Sequence, residues 1–382
     1  MKSLSLSIAF LILHLPLQAQ AQSLQNPASS SPDFYKRFEG TIARQPVVMY
    51  LEREGGRWHG TYFYSNVQQP IPLWKEWSEN GRLLSADSII FVERPTGDTA
   101  TNRLVLHYIS PGAIEGSWTG GGKVAPVALK EAYTSGSYRF EPFWKTDSTT
   151  FTVGPKHQNT ITSSFHILIP SPDLPTDKRT FVFSEIGLRL GCKPATQDIR
   201  ECMLNLARRG CDSDRADVLE MAKDMPDSDI VNGGFMFEWF SDSRISVKYN
   251  EDDLLVLEEE ISAYSGGAHE SYAKFVNVID VRNGKSLSLS DVTTADSITL
   301  QRLLEAAIRK EYHMESDQPL SDILFSDYLT GNNNFYITRT GLGFVYNPYE
   351  VASWADGVIE VFIPFSSFKR KLTPWFMKRM GL

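Results

Sequence analysis

The sequence is poor in the residues that usually announce chemistry. It has 3 cysteines and 7 histidines in 382 residues, and no pair of histidines stands at metal-binding spacing. No CxxC is present for zinc or thiol redox work. His269-Glu270 opens like a zinc helix, but Ala273 stands where a second histidine is required. Asp227-Ser228-Asp229 with Asn232-Gly233 has its glycine displaced from the calcium-loop position and lacks the distal glutamate. A GxSxG elbow and a phosphate-cradling loop are also missing. No metal, cofactor or catalytic residue is therefore assigned. Positive charge is scarce as well: 38 Lys and Arg face 46 Asp and Glu, a formal net charge of -8. With no basic cluster to neutralise phosphates, nucleic acid is not an expected partner.

Long apolar runs are confined to the start of the chain. Lys2 precedes an apolar stretch from Leu4 to Leu17, interrupted by His14 and Pro16, and Ala19-Gln20-Ala21 offers small residues for cleavage. This is the layout of a signal peptide, too short for a spanning helix of about 20 apolar residues. The chain is expected to be exported, periplasmic or secreted, cleaved after Ala21, with no membrane span left. In such a compartment a disulfide persists. Cys192, Cys202 and Cys211 share one window, so one pair and one free thiol are expected. The sequence does not choose the pair; if Cys202 lies within a helix, Cys192 and Cys211 at its ends come within reach.

What is present is pattern. Residues 22–32 form a Gln-, Ser- and Asn-rich leader. From 33 to 133, short runs of alternating apolar residues are split by turn signals, which predicts antiparallel strands. An internal repeat runs through them: Gly60-Thr61-Tyr62, Pro70-Ile71 and Leu73 recur 56 positions later as Gly116-Ser117-Trp118, Pro126-Val127 and Leu129. Two such hairpins sharing an apolar face predict a small antiparallel barrel, somewhat similar to the glycine-punctuated barrels of exported bacterial proteins.

The composition changes after Tyr133. Residues 134–159 read as a linker, with Thr146–Thr162 serving as linker or first strand. Residues 160–382 read as α+β, an antiparallel sheet with two to four helices. Strands are expected at Phe165–Ile169, Thr180–Ile186, Ile245–Val247, Leu254–Tyr264, Tyr272–Val281, Phe335–Thr338, Gly343–Tyr346 and Ile359–Ile363. Helices are expected over Gln197–Arg209, stopped by Gly210, from Ser213 to about Asp224, and from the Asp296 cap through Tyr312. Strand alternation predicts that Glu259 points away from Glu258 and Glu260.

Two segments stand out as candidate binding surfaces. Tyr264-Ser265-Gly266-Gly267-Ala268-His269 places two glycines between strands, where backbone freedom would display Tyr264, Ser265 and His269. Tyr346-Asn347-Pro348-Tyr349-Glu350 ends a strand at Asn-Pro and would display Tyr349 and Glu350, with Trp354 close behind. A glycine hairpin and a strand-ending turn account for the same residues structurally.

These segments, together with Asn283-Gly284-Lys285-x-Leu287-x-Leu289-x-Asp291 and Gly357-x-x-Glu360-x-x-Ile363-Pro364-Phe365, carry a family resemblance. Residues 160–375 resemble the exported domain shared by the lysozyme-sensing anti-sigma factor RsiV and the non-catalytic part of the peptidoglycan deacetylase PdaC. The resemblance implies an α+β envelope module without an active site, and in the RsiV case a lysozyme-binding surface. This chain has no sigma-binding segment and no deacetylase domain, so only the binding idea carries over. A lysozyme-like protein or peptidoglycan glycan is the expected partner. The alternatives are a cell-wall hydrolase using carboxylates and His269, and a small-ligand carrier using the front barrel.

Overall fold

A computed structural model describes residues 33–75, 88–93, 102–110, 112–155, 157–193 and 198–382. The expected signal peptide and leader lie outside them. Eight strands come first: β1 (Phe34–Ile42), β2 (Gln45–Glu54), β3 (Arg57–Tyr64), β4 (Ile71–Lys75), β5 (Ser88–Glu93), β6 (Asn102–Ser110), β7 (Ala113–Gly120) and β8 (Lys123–Glu131). They follow one another antiparallel around a closed barrel, with β8 returning to pair with β1.

The 56-residue repeat turns out to be half a barrel. It maps β3–β4 onto β7–β8, four strands on. The registers differ by two residues: Gly60 pairs with Leu73, whereas Gly116 pairs with Val127. An even shift leaves every side chain on its face, so the pattern survives. The glycine is kept for space at Gly116, where a Cβ would meet the Val105 carbonyl oxygen at 2.0 Å. Inside, Phe38, Met49, Leu51, Tyr62, Phe91 and Leu104 are buried against one another. Eight strands leave an interior that side chains can fill, and these occupy it.

The second region begins earlier than the sequence pattern suggests. The stretch 134–159, read as a linker, is largely β9 (Phe140–Val153), a 14-residue strand paired along its length with β10 (His157–Pro170). Thr146, Thr150 and Thr152 take alternating exposed positions of this edge strand, while Thr149 lies on the other face. Next come α1 (Thr176–Arg189), α2 (Ile199–Ala222) and α3 (Asp227–Asn232), then β11 (Phe240–Glu251), β12 (Leu254–Tyr264), β13 (Ser271–Asp280) and β14 (Lys285–Ser286). The sheet order is β14-β13-β12-β11-β10-β9. It is antiparallel except where the helical crossover makes β11 parallel to β10. After it come α4 (Leu289–Val292), α5 (Ser297–Glu311), a three-stranded sheet of β15 (Phe335–Ile337), β16 (Gly341–Tyr346) and β17 (Ile359–Pro364), and finally α6 (Pro374–Met380).

The structure corrects three expectations. Thr180–Ile186, read as a strand, lies in α1, because Val182 and Ile186 stand one helical turn apart and bury together on the sheet. Gly210 does not stop a helix: α2 runs unbroken for 24 residues, and the close approach of Ser163 accounts for the glycine, since a Cβ there would sit 3.0 Å from its hydroxyl. The helices number six among the described residues, not two to four. By contrast, α5 has the Asp296 cap and the buried Leu300, Leu304 and Ile308 that its periodicity predicts.

The disulfide joins Cys192 to Cys202, and Cys211 is free and buried. The alternative Cys192–Cys211 pairing assumed that the helix ended between them. In one continuous helix, residues nine apart lie about 13.5 Å apart along the axis and on opposite faces. Cys211 accordingly faces β9 and β10, with its thiol 3.4 Å from the Asp147 carbonyl.

Barrel and sheet share a core. On β2 the odd residues Val47, Met49 and Leu51 fill the barrel, while Val48 and Tyr50 face outward into the cluster that continues through the sheet. Buried polar contacts reinforce it: Arg37 of β1 forms a two-pronged bond with Glu251 of β11, both at 2.7 Å, and the Asn250 side-chain amide donates to Tyr35 and to the Tyr138 carbonyl.

Candidate functional site

The two singled-out segments meet. His269, just beyond the β12–β13 turn, stacks on Trp354 with ring centroids 4.2 Å apart and planes 24° apart. On the same imidazole, Tyr349 lies 6.5 Å away at 29°, its hydroxyl 3.4 Å from Nε2. Tyr272 meets the edge of Trp354 at 6.3 Å. The result is a short surface stack of Tyr349, His269 and Trp354.

Local chemistry explains the placement. Gly266 and Gly267 take φ of 86° and 104°, which gives the turn its tightness and needs residues without Cβ. The Asn347 side-chain oxygen accepts from the Lys274 backbone N–H at 2.7 Å, pinning the 347–350 turn to β13. Trp354 Nε1 donates to the Glu270 carbonyl at 3.1 Å. Within the turn, Tyr349 has φ of +67°, a strained conformation for a bulky side chain. Its ring is 61 % exposed, so the strain is not repaid by burial.

The remaining predicted residues divide. Tyr264 turns away, stacking on Phe240 at 6.4 Å and donating to the Gly267 carbonyl. Glu350 braces its own turn, accepting from Asn347 N–H at 2.9 Å and from the Asn332 amide at 3.1 Å. Ser265 is exposed beside the glycines. A hydrolase centred on His269 would need a carboxylate at the imidazole. The contacts His269 makes are to rings and to the Glu270 carbonyl.

A group of carboxylates gathers elsewhere, between the barrel wall and the sheet, with Glu52 and Glu54 buried among them. Cross-strand pairing sets Glu52 of β2 beside His59 of β3, and Arg244, Glu260 and Lys274 in one row across β11, β12 and β13. Arg244 donates to Glu52 at 2.8 Å and to Glu54 at 2.9 Å. His166 sits between Glu54 at 2.6 Å and Asp242 at 3.0 Å. A register shift between Val247 and Tyr249 bulges β11 and turns Lys248 to Glu258 at 2.6 Å and Glu360 at 2.9 Å. Glu259 points to the other side, as alternation predicts, and meets Arg189 at 3.2 Å.

For two of these groups burial is the controlling influence. It raises the Glu52 carboxyl to about 7, although Arg244 opposes it. It lowers His59 to about 3, helped by the charges of Arg244, His166 and Arg57. For His166 burial pulls downward, but hydrogen bonds to Asp242 and Glu54 outweigh it and the imidazole is raised. Asp242 is lowered by His166 against the cost of burial.

These shifts predict a pH-dependent difference. Below about pH 6.5 an unfolded His59 takes up a proton that the folded one refuses, so His59 costs stability as pH falls. Glu52 and His166, both raised, act in the opposite sense: the folded state holds their protons, and that stabilisation fades as pH rises through their folded values. His59→Gln removes only the first effect. Its stability relative to wild type is expected to rise by about 2 kcal/mol between pH 7 and pH 5. Urea unfolding at the two pH values measures this; a flat difference would place His59 in solvent.

Comparison with known proteins finds a match at residues 290–366 to the DUF3298 family model, described as a protein of unknown function. That stretch holds Tyr349, Glu350 and Trp354 but not His269. Among solved structures, a DUF3298 family member from Bacteroides fragilis is similar at 20% identity with a TM-score of 0.53, over 64% of this chain and 98% of its own. This likeness is one of fold. A DUF3298 family protein from Pseudomonas aeruginosa matches at 14% identity and a TM-score of 0.39, over 62% of this chain and 96% of its own. No curated protein matches the chain.

The ionic cluster was not legible in the sequence. Its one available signal was the alternation of charge along Asp242, Arg244, Glu258 and Glu260, which by itself describes a solvated strand face equally well.

Proposed function

We propose that this protein is an exported cell-envelope binding protein, cleaved after Ala21, and that it holds a peptidoglycan glycan on the Tyr349–His269–Trp354 stack. The observation that carries the reading is Tyr349: a strained backbone that presents an exposed ring instead of burying it. Sugar rings offer C–H faces to aromatic faces and hydroxyls to polar tips, and Tyr, His and Trp supply both. The resemblance to the exported domain of RsiV and PdaC supports an envelope ligand and makes a lysozyme-like protein the competitor.

Calorimetric titration with soluble peptidoglycan fragments and, separately, with lysozyme tests it. Glycan binding is expected, weakened at least about tenfold by Tyr349→Ala and by Trp354→Ala, a loss of about 1.4 kcal/mol. Binding of lysozyme alone would replace the glycan by a protein partner. No binding of either ligand would overturn the reading.

A further inference from the structure

The shortage of positive charge along this chain has one local exception. Residues 365–382 hold five Lys and Arg and no Asp or Glu, in a chain whose carboxylates outnumber its cations 46 to 38. The fold adds a sixth cation to them. Thr293 and Thr294 bond to the Lys371 carbonyl, and the Thr373 hydroxyl donates to the Asp291 carbonyl at 2.6 Å. This seats the segment beside β14 and α4 and brings Lys285 over the ring of Trp375, 5.4 Å from its centroid. We infer that this corner, centred on Trp375, is a docking surface for an anionic phospholipid bilayer. It shares no residue with the aromatic stack and does not depend on the function proposed above.

Charge selects the sign of the partner. The cations of the corner are Lys285, Lys369, Arg370, Lys371, Lys378 and Arg379. Asp291 is taken by Lys285 at 2.5 Å and Asp280 by Arg379 at 3.0 Å. Asp296, the cap of α5, is faced by Arg302 as well as by Lys371. Glu185 meets β14 at the Ser286 hydroxyl. Lys369, Arg370, Lys371 and Lys378 are all exposed, and they form no ion pair among the described residues. Those four leave a positive surplus that a negative surface meets.

Trp375 decides which negative surface. Its ring is 40% exposed, while Phe376 and Met380 hold the other side of α6 in the core. Lys378 follows it by three residues and lies on the same side of the helix. At a bilayer interface an indole sits at headgroup level, and each nearby cation is drawn to the anionic lipids. A groove of about 360 Å³ beside the ring, bordered by Asn283, Ser290 and Thr373, offers amide and hydroxyl groups to a headgroup. Nucleic acid fits less well. Stacking of successive bases uses several aromatic platforms, and a duplex groove admits a whole helix, whereas α6 has 7 residues and a buried side. A bilayer asks of its partner charge and an interfacial side chain.

Co-sedimentation with vesicles tests the inference. The chain from Gln22 onward is used, so that the apolar stretch Leu4–Leu17 does not contribute. Vesicles of about 30% phosphatidylglycerol in phosphatidylcholine are compared with pure phosphatidylcholine, at about 20 mM and about 500 mM NaCl. Binding to the phosphatidylglycerol vesicles is expected at low salt, and at least about tenfold weaker binding at high salt or without the anionic lipid. Combining Lys369→Gln, Arg370→Gln and Lys371→Gln is expected to weaken it about fivefold per charge, about a hundredfold in all. Trp375→Ala should weaken it at least about fivefold. The inference is overturned by no binding to phosphatidylglycerol vesicles at low salt, by equal binding to pure phosphatidylcholine, or by tighter binding of a single-stranded thymidine oligonucleotide than of the vesicles. If Trp375→Ala fails to fold, unchanged binding by the triple variant, whose substitutions are all at exposed positions, overturns it alone.

Discussion

Arg244→Met is expected to destabilise the protein by about 3–5 kcal/mol, the range found when one member of a buried ion pair is removed. Arg244 is 6% exposed and donates to carboxylates on the barrel. Its loss leaves Glu52 and Glu54 facing the sheet with only His166 to oppose them. The cost should depend on pH. Glu52, already raised to about 7 by burial against the pull of Arg244, rises further without the guanidinium and escapes the penalty by holding its proton. The deficit should therefore be smaller at pH 5 than at pH 8. Denaturant unfolding at both pH values measures it, and Arg244→Met combined with Glu52→Leu should recover a substantial part, because the uncompensated carboxylate goes too. A deficit below about 1 kcal/mol, the level of exposed ion pairs, would mean that the barrel does not bear on the sheet through this cluster.

Cys192→Ala with Cys202→Ala is expected to cost about 3 kcal/mol, the chain-entropy value for a loop of this length. The bridge spans a sequence separation of 10 and ties the segment after α1 to the first turn of α2. Cys211→Ala should leave the bridge intact and change stability much less. Thiol counting by mass spectrometry under denaturing, non-reducing conditions should find one free cysteine per chain, at position 211. A free thiol at 192 or 202 would contradict the pairing, and equal stability of the oxidised wild type and the double variant would contradict the magnitude.

How much of this was legible in the sequence varied with the range of the interaction. The half-barrel repeat, the cap and apolar stripe of α5 and the glycines at 266 and 267 depend on neighbours within a few residues, and they could be read directly. Failures came where tertiary contact overrode local preference. The β-branched and aromatic run at Thr180–Ile186 became helix because the sheet offered a surface to Val182 and Ile186. Gly210 stayed inside α2 because Ser163 packed against it. Thr146–Thr162 could be linker or strand until a partner strand was known.

The candidate sites follow the same division. That Tyr349, His269 and Trp354 occupy unusual turns was visible in the glycines and in Asn-Pro, but segments 80 positions apart in sequence had to be brought together by the pinning of Asn347 to β13. The ionic cluster between barrel and sheet was hidden altogether. By itself the sequence determined that this chain lacks the motifs of metal and nucleophilic chemistry, and that its front half repeats as strands, because composition and short-range periodicity need no partner. Only the tertiary structure decided that Glu52, His59, Arg244 and Lys274 face one another, because which side of a strand is covered depends on what packs against it.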